Sequence, residues 1–472
     1  MTCATYSWRV GNGRRRHTSP AIVKPVARAS DEQRAWFFYD WANSAFITTV
    51  ATVLIGPYLT TIAERAACGY AGSVQQPCQE HLSVLGASVS PGSLVFYVIT
   101  ASTLISAFVL PFVGAIADQV ASRRRLMAQL AWGGAFVTGL LFFVTGTNWQ
   151  LGCVLLLVAN ILFGASLVVY DALLVDVAGP DERDQVSSRG WAFGYLGGGL
   201  LLAANLAFVT FLPFGVSTEL AVRITLLSAA VWWAAWTLVP YRGIADRPPV
   251  SAAVTGTLYQ RSFGQLWRTL REMRAYPQTL LVLLAYMIYN DGIQTVIYSA
   301  SVFGQKELGF GTSVMIGVIL LVQFVAFFGA LAFGLLARRL GGYRTIGLGL
   351  VVWIAVVLAA FVLPAGRLVP FLIAAAGIGF VLGGTQALSR SFYSQFIPRG
   401  REAEYFSLYQ ACERGTSWLG TLVFGLVHQL TGSYRPALLA LVAFFVIGGL
   451  LLWRVEPRRG IAEAGNPVPR VV

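Results

Sequence analysis

The sequence predicts an all-α polytopic membrane protein, with about twelve transmembrane helices in two pseudo-symmetric six-helix bundles. Three observations predict it. Apolar runs of about 20 residues, the length a helix needs to cross the hydrocarbon of a bilayer, recur along nearly the whole chain. Of 472 residues, 56% are hydrophobic and 12% charged, and the mean hydropathy of +0.66 leaves too little polar surface to coat a water-soluble fold. A polar, arginine-rich stretch at 241–278 then divides the runs six and six.

Taken in order, residues 1–35 are basic and aperiodic, with no apolar stretch leading to a cleavage site, and are expected as a disordered cytoplasmic tail. The first bundle, 36–240, is expected to carry spans at 37–63, 94–117, 126–145, 151–178, 190–212 and 220–239. Charges at Arg34, Glu64, Asp118, Arg125, Asp181 and Arg189 bound several of these runs. The linker 241–278 follows, then a second bundle at 279–454 with spans at 279–303, 314–337, 345–363, 369–396, 405–430 and 436–453, and a cytoplasmic tail at 455–472. Gly190, Gly194 and Gly198 form a strip in the fifth span that a neighbouring helix can approach closely. Trp149, Trp232, Trp233, Trp236 and Trp453 near span ends read as interfacial anchors and core.

On this topology 28 of the 34 Lys and Arg residues lie on the side of the termini and five on the other, with Arg414 mid-helix. That bias places both termini in the cytoplasm and the protein in a plasma (inner) membrane. It also accounts for the net charge of +13 without a nucleic-acid partner. Cys68 and Cys78 share the one long outer loop and are the candidate disulfide. Cys3, Cys153 and Cys412 read as small apolar residues.

The halves echo each other. Gly114 to Arg125 after the second span, with Asp118 and Arg123-Arg124-Arg125, corresponds to Gly334 to Arg344 after the eighth, offset by 220 positions; Pro180-Asp-Glu-Arg183 corresponds to Pro398-Arg-Gly-Arg401, offset by 218. A glycine, an acid four residues on and a basic cluster between spans two and three resemble the loop signature of the major facilitator superfamily. Four further stretches resemble its vacuolar effluxer, autophagy-related (Atg22-like) branch and bacterial relatives. They are Tyr39-Asp40-Trp-Ala-Asn43-Ser44-Ala-Phe46, Arg189-Gly190-Trp191 through Gly199, Tyr289-Asn290-Asp291-Gly292-Ile-Gln294-Thr295, and Gln386-Ala-Leu-Ser389-Arg390-Ser391 running on to Phe406. The resemblance covers 36–454 and implies a transporter, with amino-acid efflux as the associated activity of the branch. The embedded span-four arginine and span-five Gly-Pro of many drug/proton antiporters are absent.

An ionisable group at the centre of a membrane helix costs roughly 2.5–3.5 kcal/mol, so those present should face a partner or water. Asp291 is about 13 residues into the seventh span, with Gln294 and Tyr298 on its face, and Asn290-Asp291-Gly292 is a place for local unwinding. It either handles substrate or protons or makes a structural interhelical bond. Asp40, with Asn43 and Ser44, either lines a cavity or caps a first turn. Tyr170 and Asp171 in span four lie at nearly the depth of Arg390 in span ten, offset by 219, with Gln386 one turn before it. Asp171 and Arg390 form either a gate between the halves or a neutralised pair. Glu413 and Arg414 cannot both face one groove. Arg414 binds either a substrate carboxylate or a buried acid. Asp118, Arg123, Arg124, Asp176 and Arg338 are the gating candidates at the inner loops.

There is no G-x-x-x-x-G-K-[ST] loop, no H-E-x-x-H and no nucleophile, base and orienter set. No enzyme, cofactor or metal site is therefore expected. The expected partners are the lipid bilayer, a small-molecule substrate and protons, with a functional monomer. The expected function is secondary active transport of a small polar metabolite, amino acids first, by alternating access. Export of amphipathic drugs, or a non-transporting receptor that keeps the fold, are the alternatives.

Overall fold

The computed structural model describes residues 29–72, 78–84, 86–247, 271–415 and 417–472. The expected tail 1–35 lies outside them up to residue 28, and its last residues are helical. Ser30 accepts from the Gln33 N–H while the Gln33 side chain accepts from the Ser30 N–H, and this reciprocal cap starts α1 (Asp31–Ala45). Over Phe46–Leu54 the first span widens to π-helical bonding, the Ile55 N–H donating to the Val50 carbonyl, before α2 (Ile55–Cys68). Gly69, at φ +77°, ends it, and Cys68 is disulfide-bonded to Cys78, as the loop position implied. A short antiparallel hairpin follows, β1 (Leu82–Val84) on β2 (Ala87–Val89), with Ser83 opposite Ser88.

The first half continues through α3 (Leu94–Ala117), α4 (Arg123–Leu140), α5 (Trp149–Val177), α6 (Arg183–Phe211) and α7 (Thr218–Gly243). The second comprises α8 (Pro277–Val302), α9 (Thr312–Leu340), α10 (Gly342–Phe361), α11 (Leu368–Ser394), α12 (Glu402–Gly415), α13 (Ser417–Thr431), α14 (Tyr434–Ala440) and α15 (Val442–Trp453). Eleven helical segments among the described residues are long and apolar enough to cross a membrane. The eleventh expected span, 405–430, is helical on both sides of residue 416, in α12 and α13, and residue 416 itself lies outside the described residues.

One expectation about local structure is corrected. α8 runs unbroken through Asn290-Asp291-Gly292, and Gly292 serves close packing instead: a Cβ there would lie 2.9 Å from that of Phe444 on α15. The segment after 454 is folded, with α16 (Pro457–Glu463) burying Gly460 and Ile461, and the Asn466 amide donates to the carbonyls of Gln395 and Ile397 at the end of α11. Residues 248–270 of the expected linker lie outside the described residues.

The repeated glycines explain how the halves meet. A Cβ at Gly114 would come 2.5 Å from the Ala403 carbonyl on α12, and one at Gly334 would come 2.7 Å from Ser188 Cβ on α6. Each half thus uses its corresponding glycine to let a helix of the other half approach at backbone distance. Within the first half, Gly190, Gly194 and Gly198 receive Trp36 and Asp40, Ser44, and Thr48 of the first span.

Candidate functional site

The site is built where α1, α5 and α6 of the first half face α11 and α12 of the second. Arg390, 2% exposed, is four residues from the end of α11 and reaches into the first half. Its Nη1 donates to Asp171 Oδ1 at 3.2 Å and its Nη2 to Asp40 Oδ2 at 3.2 Å; Nε donates to Ser187 Oγ at 2.9 Å. Tyr170 donates to the same Asp40 oxygen at 2.6 Å. The guanidinium lies 4.8 Å over the Trp36 ring, which stacks on Tyr170 and donates its indole N–H to the Tyr170 carbonyl. The Arg390–Asp171 pairing foreseen from matched depths is present, and Asp40 joins it: one cation is held between two carboxylates across the two halves.

From Asp171 the polar chain continues into the second half. Gln410 of α12 donates from Nε2 to Asp171 Oδ2 at 2.8 Å and to Glu413 Oε2 at 3.2 Å, while its Oε1 accepts from Arg414 Nε at 3.5 Å. Arg414 lies 4.8 Å over Phe163 of α5, against Gly164, and forms no ion pair with a carboxylate among the described residues. Tyr298, 62% exposed, is within electrostatic reach of Arg414 and Glu413. Gln386 donates to Asn290 Oδ1 at 2.8 Å, and Asn290 makes a long bond of 3.4 Å to the Glu413 carbonyl.

Asp291 stands apart from this chain. It is 2% exposed, turned onto α13, and accepts the Gly420 N–H at 2.9 Å; its Oδ1 has no hydrogen-bond partner among the described residues. Gly420 packs directly against it: a Cβ there would lie 3.1 Å from Asp291 Oδ1 and against the Thr295 hydroxyl. Gln294, half-buried, does not join the polar chain. Asn43 is buried, and the half-buried Ser44 donates its hydroxyl to the Asp40 carbonyl while packing on Gly194.

Towards the face that holds both described ends of the chain, further bonds seal the halves. Arg183 donates to the Ser394 carbonyl at the end of α11, Gln395 donates to the Pro180 carbonyl, and Ser391 donates to Asp184. Asp118 accepts the N–H groups of Ala403 and Glu404 at 3.0 and 2.9 Å, capping the first turn of α12 from the opposite half. Arg123 ties Asp118 (2.7 Å), Asp176 (3.2 Å) and Glu402 (2.9 Å) together. Arg124 does not cross the interface as expected. It pairs with Asp246 at 2.8 Å and donates to the carbonyls of Tyr241 and Ile244, all within its own half. Burial works to raise the Asp246 carboxyl, but bonds from Arg124 and Ser122 outweigh it and hold the group below its ordinary value. Arg338 is half-buried in the last turn of α9.

Gln410, Ser187, Arg183 and Glu402 escaped the sequence reading. A mid-helix glutamine or serine carries no charge signal, and Arg183 and Glu402 look like ordinary loop charges until the halves are brought together.

The chain matches the family model described as "Vacuole effluxer Atg22 like" over residues 28–465. It is 28% identical to the uncharacterized MFS-type transporter YxiO of Bacillus subtilis over 94% of this chain and 100% of that one. It is 24% identical to autophagy-related protein 22-1 of Phaeosphaeria nodorum, covering 93% and 92%. Among solved structures it resembles the fucose:proton symporter FucP of E. coli, at a TM-score of 0.64 with 13% identity over 90% of this chain and 97% of that one. It also resembles the human organic anion transporter MFSD10, at 0.63 with 15% identity over 89% and 99%. With that match spanning nearly its whole length, the chain belongs to the Atg22-like vacuole effluxer family of major facilitator transporters.

Proposed function

We propose that this protein is a secondary active transporter that moves a small polar metabolite, amino acids first, by alternating access, and does so as a monomer in a plasma membrane with both termini cytoplasmic. The observation that carries the proposal is the buried Asp40–Arg390–Asp171 cluster, whose cation comes from one half and whose anions come from the other. Such a cluster is stable only while the halves are together at its level, so it biases the molecule towards one of two arrangements. With the arginine-rich terminal face in the cytoplasm, this arrangement is closed inward. Arg414, which makes no ion pair with a carboxylate among the described residues, is the group for a substrate carboxylate. Asp291, buried with no cation paired to it among the described residues, is the acid for proton coupling, since Asp40 is committed to Arg390 and Tyr170.

The test is uptake of a pooled labelled amino-acid mixture into proteoliposomes, with and without an imposed pH gradient. Gradient-driven accumulation in the wild type, lost in Asp291→Asn while counterflow exchange persists, and lost in both modes in Arg414→Gln, is the expected result. No flux from folded wild-type protein overturns amino acids as the cargo.

A further inference from the structure

We infer that Gln410 is the positioning residue that couples occupancy of Arg414 to the Arg390 ion cluster. The inference rests on the transport reading above, and it assigns the link between its substrate group and its gate. A glutamine amide has two N–H donors on one end and one carbonyl acceptor on the other. In Gln410, 4% exposed, both ends are used in opposite senses: the NH2 lies between the carboxylates of Asp171 and Glu413, and the carbonyl faces Arg414. Reversing the amide would set its oxygen against two carboxylates, so the orientation is enforced.

The two ends differ in strength. The bond to Asp171 is short at 2.8 Å, whereas the Arg414 contact is long at 3.5 Å and the easier to surrender. An anionic ligand that draws Arg414 to itself takes away the partner of Oε1 and leaves the side chain held by its NH2 end alone, so that it can shift off Asp171 towards Glu413. Asp171 then loses the donor that fixes the orientation of its carboxylate towards Arg390, and Arg390 is the cation that joins the halves. Substrate at the centre thereby loosens the seal towards the terminal face. The groups facing position 410 are Asp171 from α5, with Arg390 behind it, Glu413 and Arg414 on its own helix, and Tyr286 from α8 within reach of Glu413. α3 brings only Tyr97, near its far end.

The experiment reads the seal directly and needs no substrate. Ser394 is buried at the closed face. In a full-length chain with Cys3, Cys153 and Cys412 replaced by Ala, the maleimide labelling rate of Ser394→Cys measures opening, each variant being referred to the Gln410 protein at the same pH. Gln410→Ala is expected to raise labelling about tenfold. Gln410→Glu is expected to match that rise at about pH 8, where its carboxylate repels Asp171 and Glu413, and to return towards the Gln410 rate at about pH 5.5, where the same two carboxylates favour its protonated form, which can donate again. That recovery within one protein also shows that the variant folds. Arg414→Gln is expected to raise labelling alone but to add nothing to Gln410→Ala. A Gln410→Glu rate independent of pH, unchanged labelling in Gln410→Ala, or additive effects would each reduce Gln410 to a packing residue. A wild type that moves no amino acid would instead overturn the transport reading and leave these labelling results standing.

Discussion

At the scale of single residues, the balance at Arg390 decides what its replacement does. Two carboxylates depend on one guanidinium, and all three groups are buried. Arg390→Ala leaves Asp40 and Asp171 facing each other without a cation, and the expected loss is about 3–5 kcal/mol, read as a lowered unfolding temperature in detergent micelles. Arg390→Lys keeps the charge but not the three-pronged reach to Asp171, Asp40 and Ser187, and should fall between wild type and Ala. Asp171 and Arg390 were visible in the sequence as an acid and a base at equal depth. That Asp40 shares the same cation was not, because no spacing along the chain relates the first span to the tenth.

At the scale of elements, glycine positions set how closely helices approach. Gly190 lies where a Cβ would come 2.6 Å from both Asp40 Oδ2 and the Trp36 ring. Gly190→Ala should therefore cost about 1–3 kcal/mol of stability by overpacking and should displace Asp40 from Arg390. Gly317 on α9 has nothing within 4 Å of such a Cβ, so Gly317→Ala should be neutral or stabilising by up to about 1 kcal/mol. Thermal unfolding of the two variants side by side checks the contrast. The four-residue spacing made the strip in α6 legible as a packing surface. Its partner, the acidic face of the first span, emerged only from the folded helices.

For the whole molecule, the terminal face is closed by layers that belong to both halves: Arg183 on the end of α11, Asp118 on the start of α12, and the folded C-terminal segment beneath them. Asn466 holds two carbonyls at the end of α11, and Arg470 reaches Asp181 of the first half with its backbone N–H at 2.8 Å. Asn466→Ala should loosen this strap and raise labelling of the Ser394→Cys reporter a few-fold, with Asp118→Ala giving a larger rise because it uncaps α12. Equal labelling in all three proteins would show that the strap and the cap do not hold the face closed.

The sequence by itself determined that the chain is helical and membrane-spanning, where eleven of its spans run, that it repeats in two halves, and which family it resembles. These follow from local rules: hydrophobic length, the placement of charge near the membrane surface, and motifs read within a single helix. It did not determine that α8 runs unbroken through Asn290-Asp291-Gly292, because those residue types suit a local turn as well. Nor did it assign partners to the buried charges. Arg124 turned to Asp246 in its own half while Arg123 bound Glu402 in the other, although the two are adjacent. Asp291 was buried against α13, and the uncharged Gln410 was placed between three charged side chains, Asp171, Glu413 and Arg414. Those outcomes belong to tertiary structure, since a buried charge takes whichever partner the packing of distant helices brings within about 3 Å, and no local pattern encodes that distance.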